Sequence, residues 1–139
     1  MDPRLIDSLV KHEGYRSRAY QDSEGIWTIG YGQNLQILEI DEYLARKWLL
    51  EGVEKAERYA KAFPEWGYLD TDARRNVFIE MIYNMGPKRV SGFRNTLAAI
   101  RDQDWEEAAV EMLDSKWARQ VGRRARTLSE LMKNGHYAE

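Results

Sequence analysis

The sequence predicts an α+β fold, mostly α, with a small β-hairpin lobe joined by a long helix to a helical lobe. Three observations predict it. The stretch AYQDSEGIWTIGYG is rich in strand formers and is interrupted by a polar turn. Apolar residues recur at helical spacing both before and after it. Proline, glycine or a capping side chain marks most of the helix ends. At 139 residues the chain suits one domain, 1–139. Its expected parts are a β lobe over about 14–40, a linking helix over about 41–62, and a helical lobe over about 63–139 with the N-terminal helix 2–13.

Each element has a local cause. Asp2 caps a helix whose first residue is Pro3, and Leu5, Ile6, Leu9 and Val10 form its apolar stripe. Gly14 can stop it. Asp22-Ser23-Glu24-Gly25 then forms a four-residue turn between two strands. The long helix runs from about Asp41 to Ala62 and ends at Phe63-Pro64. Thr71 caps a helix reaching Met85, with Gly86-Pro87 as its stop. Asp104 and Glu107 form a capping box for a helix through Leu113. Shorter helices are expected at about Asn95–Arg101, Lys116–Val121 and Arg123–Asn134.

Composition narrows the chemistry. With 43% hydrophobic and 32% charged residues the chain is ordinary for a folded domain and unlike a disordered one. No cysteine and only two distant histidines, His12 and His136, leave no thiolate and no metal cage, so no cofactor is expected. Catalysis must rest on carboxylates and hydroxyls. No run is apolar enough for a membrane span, and MDPRLIDSL lacks the pattern of a signal peptide. The net charge of −2 argues against a nucleic-acid partner. That charge is uneven: residues 1–70 carry 9 basic and 13 acidic side chains, and residues 71–139 carry 12 and 10. Five basic residues and no acidic one lie between Ser115 and Ser129, a local patch that could face an anionic polymer.

Three residues in the first 30 are hard to explain by packing alone. Glu13 continues the series Leu5, Leu9, Glu13, so it points with the apolar face and sits in the last helical turn. Partial burial and the helix dipole would both raise its pKa, as a general acid requires. A frayed, solvated helix end is the plainer alternative. Asp22 opens a turn, where aspartate commonly bonds backbone N–H groups. Thr28 shares a strand face with Ile26, Gly30 and Gly32, a face of little bulk that would suit a ligand. Threonine also favours strands without any such role. Together the three offer two carboxyl groups in unlike environments, which glycoside hydrolysis needs.

On these residues the sequence resembles the phage-type lysozymes of the T-even bacteriophage kind, glycoside hydrolase family twenty-four. The resemblance covers nearly the whole chain. Its most specific part is Glu13, eight residues, Asp22, five residues, Thr28, leading into TIGYG. NMGPKRVSGFRNTL (84–97) and WEEAAVEMLDSKW (105–117) follow in the family's order and spacing. The resemblance implies a muramidase that cleaves the β-1,4 bond between N-acetylmuramic acid and N-acetylglucosamine in bacterial cell walls. Glu13 would be the general acid, with Asp22 and Thr28 positioning water and stabilising the transition state. Arg124 matches an arginine paired with the catalytic glutamate, which opposes the rise in its pKa. Gly32, Asn34, Tyr83, Asn84, Thr96, Glu111 and Trp117 fall at glycan-binding positions. The implied partner is peptidoglycan, bound by a monomer held in the host cytoplasm until its release to the wall.

There are departures from the pattern. Gln33 stands where relatives usually carry histidine, Asn34 where an apolar contact is common, and Glu111 where a neutral amide is found. The segment Asn34–Ile40 is short enough that two strands, or two and a fragment, are expected in the β lobe, with no room for a further strand, loop and small helix. A lytic transglycosylase, and a wall-binding domain without activity, are the rival readings. The presence of Asp22 and Thr28 weighs against both.

Overall fold

The computed structural model describes residues 1–138 as two compact units, one over Met1–Ala45 and the other from Arg46 onward. The first contains α1 (Pro3–Glu13), three strands, and the start of α2 (Glu42–Lys61). The second contains the rest of α2 and the helices that follow it.

Local signals set the boundaries of the first unit. Asp2 Oδ1 accepts the Arg4 backbone N–H at 2.9 Å, and Gly14 closes α1 by donating to the Val10 carbonyl. The strands β1 (Arg16–Gln21), β2 (Trp27–Gly30) and β3 (Gln33–Asn34) form one antiparallel sheet in the order β1-β2-β3. Tyr20 pairs with Thr28, and Thr28 with Asn34, so these three form one row across the sheet. The third strand is only two residues long. It matches the fragment expected beside the two longer strands. Tyr31 and Gly32 make the turn, and Gln33 closes it by accepting the Tyr31 N–H at 2.8 Å on its side-chain oxygen. Gln33 is therefore a turn-closing group here.

In the second unit the remaining elements are a 3₁₀ turn (Pro64–Tyr68), α3 (Asp72–Met85), α4 (Pro87–Ser91), α5 (Arg94–Arg101), α6 (Trp105–Leu113), α7 (Lys116–Val121) and α8 (Arg123–Asn134). Thr71, Asp104 and Ser115 cap α3, α6 and α7 through their side-chain oxygens. The expected capping box is half formed. Asp104 accepts the Glu107 N–H, but the Asp104 N–H donates to the Ala99 carbonyl. Gly86-Pro87 does stop α3, and Pro87 also opens α4, because proline suits a first helical turn. The core lies among α3, α5, α6 and α8, with Phe78, Met81, Ile100, Met112 and Met132 almost wholly buried. Phe63 meets Phe78 edge-on with ring centroids 5.0 Å apart, anchoring the end of α2 to that core.

Among the described residues no helix is long and apolar enough to cross a membrane. Among them, too, no group of three or more His, Cys, Asp or Glu could hold a metal ion.

Candidate active site

The first unit brings Glu13, Asp22, Thr28, Gly32 and Asn34 onto one small framework. Asp22 opens the hairpin turn, and its Oδ1 accepts the N–H groups of Glu24 and Ile26 at 2.8 and 2.9 Å. Its own N–H donates to the Ile26 carbonyl at 2.9 Å. That carbonyl also accepts the Thr28 hydroxyl at 2.9 Å. Ile26 therefore ties Asp22 and Thr28 together through its backbone. The bonds have a chemical consequence. Asp22 Oδ2 has no partner among the described residues, and the Thr28 oxygen, having donated its proton, keeps lone pairs to accept a water.

Thr28 is the most buried side chain of the first unit, at 4% exposure. It lies in the central strand, flanked by Tyr20 and Asn34. Asn34 spends its side-chain oxygen on the Gln36 N–H at 2.8 Å, which sets the chain's exit from the sheet.

Glu13 joins this framework through Gly32. A Cβ built on Gly32 would lie 2.8 Å from the Glu13 carboxyl carbon, so glycine lets the turn approach this side chain without displacing it. The backbone φ of +75° at Gly32 reinforces the requirement. Glu13 is exposed, which corrects the partial burial read from the Leu5-Leu9-Glu13 series. The cause is local: α1 buries none of its residues, and the hairpin meets it at its end.

The remaining candidates lie in the second unit. Arg124 donates its Nε–H to Glu80 Oε2 at 2.9 Å. The Glu13 partner that the resemblance implies belongs to the other unit. Tyr83 and Arg124 line a cavity of about 430 Å³ with Leu49, Val53 and Ile79. Thr96 and Glu111 line a separate pocket of about 200 Å³ with Asn95 and Asp114. Trp117 is buried, and its indole N–H donates to Asn84 Oδ1 at 2.7 Å, so it fixes the orientation of Asn84. A hydrogen bond to Glu111 is the main cause holding the Glu107 carboxyl above its usual range, and the nearby charges of Glu111 and Asp104 add to it.

Sequence reasoning missed the part played by Ile26. Its contribution is made by backbone atoms, which no side-chain pattern signals.

The phage lysozyme family model matches residues 10–133. The chain is 27% identical to probable T4-type lysozyme 1 of Dictyostelium discoideum, over 94% of each chain. It is 26% identical to probable T4-type lysozyme 2 of the same organism, over 97% of this chain and 96% of that one. It is also 28% identical to the peptidoglycan hydrolase gp36 of Pseudomonas phage phiKMV, over 89% of this chain and 14% of the phage protein.

Proposed function

The chain belongs to the phage lysozyme family, and from that premise we propose that it hydrolyses peptidoglycan at the β-1,4 bond between N-acetylmuramic acid and N-acetylglucosamine. The observation that carries this reading is the framework of Glu13 against Gly32 with Asp22 and Thr28 joined through Ile26. Glu13 protonates the departing glycosidic oxygen. Thr28, with its proton committed to the Ile26 carbonyl, accepts from the attacking water and directs a water lone pair toward the anomeric carbon. The free oxygen of Asp22 steadies that water and the positive charge that grows on the sugar ring. After attack the water's proton passes to solvent or a carboxylate, and Glu13 is reloaded for the next turnover.

Gly32 and Asn34 shape the sugar-binding edge of the sheet. In the second unit Tyr83, Asn84 and Glu111 are the glycan contacts, the almost wholly buried Thr96 supports the pocket beside Glu111, and Trp117 acts through Asn84. Arg124 pairs with Glu80 at an exposed position, a kind of pair worth only about 0–1 kcal/mol. The catalyst acts as a monomer, without cofactor, on walls reached from the host cytoplasm.

Mass spectrometry of digested peptidoglycan tests this assignment. Fragments ending in reducing N-acetylmuramic acid are expected. Anhydro ends would make the enzyme a lytic transglycosylase, and reducing N-acetylglucosamine ends would place the cut at the other bond.

A further inference from the structure

The outer strand of the sheet carries a cationic surface that the hydrolytic chemistry does not use. Strand β1 is an edge strand, exposed along nearly its whole length, and its residues border a shallow depression from Tyr15 to Tyr20. The Arg16 guanidinium lies over the Tyr20 ring at 4.4 Å from its centroid. Among the described residues neither Arg16 nor Arg18 enters an ion pair. Tyr15 extends the surface by packing on Tyr31, with ring centroids 5.6 Å apart.

The register relates this surface to the site. Directly opposed residues of an antiparallel pair point to the same face, and Tyr20 is opposed to Thr28. Strands lie about 4.8 Å apart, so Tyr20 stands one strand spacing outward from Thr28 on its own side of the sheet. The pairing slips between Arg16 and Tyr20, a bulge that re-aims side chains at a sheet edge.

We propose that Arg16, Arg18 and Tyr20 form an accessory subsite that binds the carboxylates of the wall's peptide stems. This rests on the reading of the protein as a peptidoglycan hydrolase. The sugars of that polymer are neutral, and its fixed negative charge comes from the stems attached beside the bond to be cut. Arginine forks match carboxylates with two parallel hydrogen bonds. An arginine already stacked on tyrosine loses less freedom on binding than a loose one. The competing explanation is that the arginines only keep the edge strand from pairing with other chains.

Binding measured without turnover separates the two. In a Glu13→Gln background, sedimentation with purified peptidoglycan compares the parent with Arg16→Gln/Arg18→Gln, at low and physiological salt. The same comparison is made on peptidoglycan whose carboxylates have been amidated. The double substitution is expected to weaken binding to native walls about fivefold at low salt, a size suited to two exposed charge contacts. On amidated walls the two proteins are expected to bind equally. Equal binding to native walls overturns the proposal, and so does an undiminished difference on amidated walls. Aggregation of the double variant with unchanged wall affinity assigns the arginines to edge protection and also overturns it. The hydrolase reading stands or falls separately, on whether the unsubstituted protein releases reducing ends.

Discussion

Asp22 holds two positions at once, a turn-forming aspartate and a proposed catalytic carboxylate, and its two oxygens divide the work. Oδ1 is taken by two backbone N–H groups, and Oδ2 is free for chemistry. Asp22→Asn can keep the acceptor and remove the charge. Thermal unfolding is therefore expected to shift little, while wall hydrolysis falls by about 10²–10⁴-fold, the usual scale for a lost acid–base or charged participant. An equal loss of stability and activity would return Asp22 to a turn role alone. Gly32 is the complementary case. Gly32→Ala must find room against the Glu13 carboxylate at a positive φ, a strain of about 1–3 kcal/mol. Displacing that carboxylate by about an ångström is expected to lower turnover about 10²-fold, read as a drop in kcat on soluble glycan. Normal kcat in Gly32→Ala would show that the contact does not position Glu13.

Among the elements, α8 depends on one buried cation. Arg74 of α3 donates to the carbonyls of Met132 and Lys133 at 2.7 and 2.8 Å and to Asp70 at 2.9 Å, and it lies over the Trp105 ring at 4.1 Å. It thereby satisfies the carbonyls that the end of α8 leaves open. Lysine has neither the fork nor the plane to do this. Arg74→Lys is expected to destabilise the second unit by about 2–4 kcal/mol, as buried carbonyls lose charged partners. Chemical unfolding followed by tryptophan fluorescence measures it. Elements such as α3 and α6 were legible in the sequence because Thr71, Gly86 and Asp104 announce their ends locally. The 3₁₀ turn at Pro64–Tyr68 and α4 were not, because they are too short to show a period. The Arg74 contacts were also invisible, since they join residues nearly 60 positions apart. The site divides in the same way. The spacing of Glu13, Asp22 and Thr28 could be read directly, whereas the exposure of Glu13 and the pairing of Arg124 with Glu80 depend on neighbours that a linear pattern does not name.

Over the whole molecule, charge is distributed against its total. The chain is acidic, yet Arg119, Arg123, Arg124 and Arg126 form a basic run on α7 and α8. If these residues hold anionic wall polymer, activity on walls falls as salt rises, because exposed charges more than about 8–10 Å apart are screened at physiological ionic strength. A rate on walls that stays flat from low to physiological salt would make the run a solvated helix face. The central claim is that Glu13 supplies the proton that breaks the glycosidic bond. Its most direct test is the rate of clearing of purified peptidoglycan by the unsubstituted protein and by Glu13→Gln, with circular dichroism of both. The expected result is an unchanged fold and a rate lowered by at least about 10²-fold. Substantial clearing by a folded Glu13→Gln would contradict the account.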